Sequence, residues 1–151
     1  MDISTLLNLN HIKLNMVAKT KKEALEELTD LLVQDGSVND KDEFLRAIWQ
    51  REEQGPTGFE NHIALPHGQS LAVKHTTLAI GRTQHDISWE TMCGSEIRCI
   101  ILYAVRLEEK NTANIRLLTQ VSCALADDRI IAQLLKENDP KNIIEMFNTQ
   151  S

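Results

Sequence analysis

Cys99-Ile100-Ile101-Leu102-Tyr103-Ala104-Val105 is a run of seven residues without a charge or a strongly polar side chain. A strand with one wet face alternates polar and apolar positions. An uninterrupted apolar run suits a strand covered on both faces, so this segment reads as the centre of a sheet. Upstream, Thr76–Arg82 places Leu78 and Ile80 on one face and reads as a second strand. Ile87–Trp89 and Ile63–Pro66 read as shorter pieces. His11–Val17, with Ile12, Leu14 and Met16 alternating inward, reads as the first strand of the chain.

The segments around these strands have helical spacing. Thr20-Lys21-Lys22-Glu23 is a capping box, followed by Leu25, Leu28, Leu31 and Leu32 at helical intervals and by Gly36 as a stop. Asp40 and Glu43 frame a second start, with Phe44, Leu45 and Ile48 as its apolar face, running on towards Arg51 and Glu53. After the central run, Asn111 can cap a helix over Thr112–Ala126, with Ile115, Leu118, Val121 and Leu125 inward. Asp127 or Asp128 caps the next helix. Asp139-Pro140 is an N-cap followed by proline at the first helical position. Helices before and after the strands can cover both faces of one sheet. Two consecutive helices followed by neighbouring strands break simple strand–helix alternation, so the sheet is expected to be mixed. The expected fold class is α/β: a three-layer arrangement with a mixed β-sheet flanked by helices on both faces, in one domain over residues 1–151.

Composition narrows the function. The formal charge is −6, and the richest basic stretch is Lys19, Lys21 and Lys22 at a helix start, which reads as a solvated face. No basic cluster offers a nucleic acid groove, so no nucleic acid partner is expected. The three cysteines, Cys93, Cys99 and Cys123, are odd in number and lack metal spacing. They fit a reducing cytosol, with Cys99 and Cys123 as small core residues. Met1–Asn10 carries no basic start followed by an apolar stretch, and no apolar run reaches membrane-spanning length. A cytoplasmic protein is expected, meeting a membrane only through a partner. Walker A, G-x-G-x-x-G, H-E-x-x-H and G-x-S-x-G patterns are absent, so neither a cofactor nor a metal is expected.

One segment concentrates unusual residues: Arg51-Glu52-Glu53-Gln54-Gly55-Pro56-Thr57-Gly58-Phe59-Glu60-Asn61-His62-Ile63-Ala64-Leu65-Pro66-His67-Gly68. Pro66 fixes its own backbone and biases Leu65 to extended geometry, which sets His67 at a rigid strand-to-loop corner. Gly68 reads as a place where an outside backbone or a phosphate can approach closely. Spacing alone leaves His67 between a functional residue and an ordinary loop histidine, and Arg51 between a site residue and a helix-surface arginine. His11, His75 and His85 have no companion ligands at metal spacing and read as surface residues. His62 can reach the same site unless strand alternation turns it away.

This segment resembles the active-site signature of the fructose/mannitol-type enzyme IIA domains of the bacterial phosphotransferase sugar-uptake system. Their pattern runs Arg-Glu, then Thr-Gly, then Ile-Ala-(aliphatic)-Pro-His-(Gly/Ala). Here it reads Arg51-Glu52, Thr57-Gly58 and Ile63-Ala64-Leu65-Pro66-His67-Gly68, with Asn114-Ile115-Arg116-Leu117-Leu118 opening the following helix. The resemblance runs roughly from Leu6 to Phe147. It implies that His67 is the phosphorylated residue, accepting phosphate from the phosphocarrier HPr and passing it to an enzyme IIB component. It implies that Arg51 lies at the site and that Asn114 stands where many members carry a second histidine. Any membrane contact would be indirect, through the IIC transporter. A regulatory phosphoprotein of the nitrogen-type enzyme IIA kind, binding partners according to phosphorylation state, stays open as the alternative.

Overall fold

The helix starts and apolar runs become, in chain order, β1 (Ile12–Met16), α1 (Lys21–Gln34), α2 (Lys41–Glu52), β2 (Ile63–Ala64), β3 (His67–Ser70), β4 (Thr77–Ile87), β5 (Ile97–Arg106), α3 (Thr112–Leu125), α4 (Asp128–Lys136) and α5 (Pro140–Asn148). This computed structural model describes residues 7–59, 61–91, 94, 96–107 and 112–148, with the side chains of 112–117 and 148 outside the described set. Cys93 and Asn111, the expected cap of α3, lie outside the described residues too. The caps act locally. The Thr20 hydroxyl accepts the Glu23 N–H at 3.1 Å, and the Glu23 carboxylate accepts the Lys19 N–H at 2.9 Å. Gly36 follows α1 at φ +81°, the left-handed conformation that glycine takes without steric cost. The Asp40 carboxylate accepts the Glu43 N–H at 3.1 Å, and Asp127 rather than Asp128 caps α4.

The sheet is mixed. β5 runs antiparallel to β4 on one side and parallel to β2 and β3 on the other, and β1 adds parallel to β4. β2 and β3 are two halves of one edge line. Ile63 faces Cys99 and His67 faces Tyr103, the same offset along β5. The line breaks at Leu65-Pro66 because proline has no N–H to give the ladder. Its carbonyl still accepts the Tyr103 N–H at 2.9 Å. His67 therefore opens a strand instead of closing one, which corrects the strand-to-loop corner expected from the sequence. The pieces Thr76–Arg82 and Ile87–Trp89 are one strand as far as Ile87, with a register irregularity after Arg82. Gln84, His85 and Asp86 are exposed there, so hydrophobic patterning could not reveal a ladder that backbone bonds alone continue.

β5 is covered on both faces, as its composition requires. Cys99, Ile101, Tyr103 and Val105 pack with Val121, Ile130, Leu134, Ile143 and Phe147 of α3, α4 and α5. Ile100, Leu102 and Ala104 pack with Leu25, Leu28, Leu32, Phe44 and Ile48 of α1 and α2. Three local expectations change. Cys123 is exposed, because α3 turns Val121 and Ala124 inward and leaves Ser122 and Cys123 outward. His11 is buried, its Nε2 hydrogen-bonded to the Asp35 carboxylate and its Nδ1 3.3 Å from the Thr77 hydroxyl. The partners that hold it under α1 lie far along the chain, beyond the reach of local spacing.

Gly68 is the third change. A Cβ on it would lie 2.5 Å from Phe44 Cε1, 2.8 Å from Phe44 Cζ and 2.9 Å from Ile48 Cγ1. The missing side chain lets α2 rest on β3 and offers no approach from outside. Gly68→Ala is expected to destabilise the fold by about 1–3 kcal/mol, since the Phe44 ring is core and cannot swing away. A thermal melt of the variant within about 1 °C of the parent would contradict this packing.

Candidate functional site

The segment between α2 and His67 folds back as a hairpin. The Phe59 N–H donates to the Ile63 carbonyl at 2.7 Å, and the Leu65 N–H donates to the Thr57 carbonyl at 2.8 Å. Gly58 bridges Ala64 antiparallel between them and Thr91 in parallel on its other side. A Cβ on Gly58 would lie 2.2 Å from Thr91 Cγ2 and 2.9 Å from the Glu90 carbonyl oxygen, so only glycine fits between the two strands. At the tip, Asn61 and His62 have φ of +65° and +67°. Asparagine tolerates that region well. His62 is exposed and pairs through Nδ1 with the Glu96 carbonyl at 2.9 Å. It stands just before β2, with Ile63–Pro66 between it and His67 along the edge line.

His67 is half-buried on the sheet face that carries α3, α4 and α5. Its ring meets Tyr103 edge-on, with centroids 5.3 Å apart and an interplanar angle of 77°. Nδ1 is sealed from solvent and forms no regular hydrogen bond with any described residue. That leaves Nε2 as the nitrogen a group outside the protein can reach. Burial, and then the Arg51 positive charge, lower the His67 pKa to about 4. The Leu65 carbonyl, which attracts a ring N–H, acts the other way. His67 is thus a neutral imidazole across the physiological range, with a free lone pair on one nitrogen.

An NMR titration of the His67 ring is therefore expected to show a midpoint near 4 instead of the ordinary value near 6.5. Arg51→Ala should raise that midpoint only in part, since burial is the larger cause. The sign of the linked stability follows. Between those two pH values the unfolded chain binds a proton at this position and the folded chain does not. Folding stability falls as pH drops through that window, and His67→Gln removes its share of the fall. A wild-type midpoint at 6.5 would contradict the buried, Arg51-facing environment.

Arg51 lies in the last turn of α2, where its Nη1–H donates to the Gly55 carbonyl at 3.2 Å. The guanidinium carries further donors in a planar fork suited to an oxyanion. Asn114 belongs to the first turn of α3, and its side chain lies outside the described residues. Sequence reading missed Tyr103 as the surface against which His67 stands. It also missed Lys21, whose ammonium is mostly buried against Glu52 instead of lying on a solvated face. Its other carboxylate partner, Glu90, is 69 residues away, a separation that no local pattern reports. Among the described residues no three His, Cys, Asp or Glu side chains cluster as metal ligands, and no helix is long and apolar enough to cross a membrane.

The chain can be placed among known proteins. It is 30% identical to the PTS system 2-O-alpha-mannosyl-D-glycerate-specific EIIABC component of Escherichia coli strain K12 over 98% of its own length, but spans only 23% of that relative. The crystal structure of nitrogen regulatory protein IIA-Ntr from Neisseria meningitidis superposes with a TM-score of 0.84 at 25% identity, covering 96% of this chain and 98% of the other. Enzyme IIAMTL, solved in complex with phosphorylated enzyme IIBMTL from Escherichia coli, superposes with a TM-score of 0.79 at 25% identity, covering 95% and 97%. The family model described as phosphoenolpyruvate-dependent sugar phosphotransferase system, EIIA 2, matches residues 5–150, and with the mixed sheet and the Pro66-His67 edge this chain belongs to that family.

Proposed function

We propose that this chain is a phosphoryl carrier that takes a phosphoryl group from phospho-HPr on Nε2 of His67 and passes it to an enzyme IIB component during sugar uptake. The observation that carries the reading is a histidine held neutral beside an arginine, with Nδ1 sealed from solvent so that only Nε2 is left for a group from outside. In the accepting step, the His67 Nε2 lone pair attacks phosphorus in line and forms a new N–P bond. The N–P bond to the donor histidine breaks, and its electron pair returns to that ring. Nδ1 keeps its proton throughout, which fixes the tautomer. Arg51 spreads its donors over the equatorial oxygens, and Asn114 adds an amide donor near the N-terminus of α3, where the helix dipole favours an anion. Transfer to a IIB cysteine runs by the same displacement. The protein would work in the cytoplasm and meet the membrane only through the IIC transporter that IIB serves.

Incubation with enzyme I, HPr and phosphoenolpyruvate, followed by intact-mass analysis, tests this. The expected result is one acid-labile phosphoryl group, removed again by a cognate IIB domain. A mass that never changes would end the carrier reading. A second reading is a regulatory phosphoprotein of the nitrogen-type enzyme IIA kind. It is favoured by Asn114 where many family members have histidine, and by the likeness to IIA-Ntr. Stable phosphorylation with no onward transfer to any IIB domain would favour it.

A further inference from the structure

Side chains from four separate segments meet beside the Thr57–Leu65 hairpin. Glu52, in the last turn of α2, is only 4% exposed at its side chain, and its carboxylate takes the Lys21 ammonium at 2.5 Å. The Thr57 hydroxyl lies 2.9 and 2.7 Å from the two Glu52 oxygens and donates to that carboxylate. The Trp89 Nε1–H donates in turn to the Thr57 Oγ1 at 3.0 Å. The Lys21 ammonium lies 5.4 Å from the Trp49 ring centroid and 5.1 Å from that of Trp89, and it also pairs with Glu90. A buried ion pair stabilises little compared with apolar side chains of the same volume. What such a pair supplies, when every oxygen is engaged, is one defined geometry.

That geometry connects to both groups of the site. Arg51 is the chain neighbour of Glu52, and its guanidinium is tied to Gly55 in the turn that Thr57 closes. The Thr57 carbonyl accepts the Leu65 N–H, and Leu65-Pro66 leads directly into His67. The Glu52–Thr57 contact thus lies on the hydrogen-bonded path that joins the Arg51 turn to the strand opening at His67. We propose that Glu52 and Thr57 are positioning residues for phosphoryl transfer, the carboxylate held by Lys21 gripping the Thr57 hydroxyl so that Arg51 and His67 keep one spatial relation. This rests on the carrier role proposed for His67. Neither residue touches the phosphoryl group.

The test uses the whole chain with Thr57→Val, which keeps the shape and removes the hydroxyl, and Thr57→Ser, which keeps the hydroxyl. Single-turnover transfer from phospho-HPr is followed at limiting and saturating donor, together with the NMR midpoint of His67. Thr57→Val is expected to slow the saturated transfer step about tenfold with the half-saturating donor concentration unchanged, and to shift the His67 midpoint upwards. Thr57→Ser should restore both to within about twofold. A Thr57→Val protein of lower melting temperature but wild-type rate and midpoint would overturn the proposal, leaving a structural brace only. Should Thr57→Val not fold, Glu52→Gln replaces it; it keeps volume and an acceptor while removing the counter-charge of Lys21. It is read by the same two measurements, and wild-type values for both would overturn the proposal. If the wild-type chain takes no phosphoryl group at all, the carrier reading fails by itself. The His67 midpoint in the variants then still decides whether this contact sets Arg51 against His67.

Discussion

His67→Gln is expected to accept no phosphoryl group from phospho-HPr while melting close to the parent. Glutamine offers an amide nitrogen whose lone pair is delocalised into the carbonyl, so no nucleophile remains at the position. The fold should survive, because the change gives up an edge-on contact with Tyr103 worth about 0.5–1.5 kcal/mol and also removes a ring nitrogen buried without a regular hydrogen bond. The two effects oppose each other. Intact-mass analysis after incubation with the phosphorylating system, paired with a thermal melt, checks both halves. A phosphoryl group retained by a folded His67→Gln protein would move the acceptor elsewhere, and mapping to His62 at the hairpin tip would end the assignment.

The second large effect belongs to Arg51. If its fork stabilises the moving group, then Arg51→Lys retains the charge but loses the planar, two-pronged geometry and the hydrogen bond to Gly55. Weakening one charged hydrogen bond in the transition state by about 1.5–3 kcal/mol corresponds to roughly a tenfold to hundredfold slower step. Arg51→Lys is expected at the tenfold end and Arg51→Ala at the hundredfold end. Stability should change little, because the side chain is part-exposed at the end of a helix. Rapid-quench single turnovers at saturating phospho-HPr measure the step directly. Equal rates for arginine, lysine and alanine would make Arg51 a bystander whose charge touches only the protonation of His67.

How much of the site was legible in the sequence differs by residue. Pro66, and the Ile63-Ala64-Leu65 run before it, announce a short extended segment through backbone restriction, and the structure places that segment along the edge of the sheet. The Thr57-Gly58 pair is a motif in the sequence without a visible reason. In the fold, Thr57 carries the hydroxyl that meets Glu52, and Gly58 is the one residue without a side chain to strike Thr91. Gly68 read as an opening towards a ligand, yet the atoms that crowd it belong to α2. A glycine in a motif tells only that something comes close, not from which side.

What the sequence by itself determined is whatever acts over a few residues. Thr20 and Asp40 cap the helices that follow them, and the unbroken apolar run from Cys99 to Val105 requires cover on both faces wherever it lies. These are consequences of backbone hydrogen-bonding needs and of side-chain transfer from water, which neighbours in the chain already express. The tertiary structure decided whatever depends on partners far apart in sequence. It buried His11 against Asp35 and brought Lys21 between two tryptophans and two carboxylates. It also joined β2 and β3 into one line along β5 and set the charge of Arg51 against the ring of His67. The same lysine would be a solvated charge on an isolated helix. Only the packing of α1, α2 and the β4–β5 connection against one another removes its water and replaces it with Glu52 and Glu90.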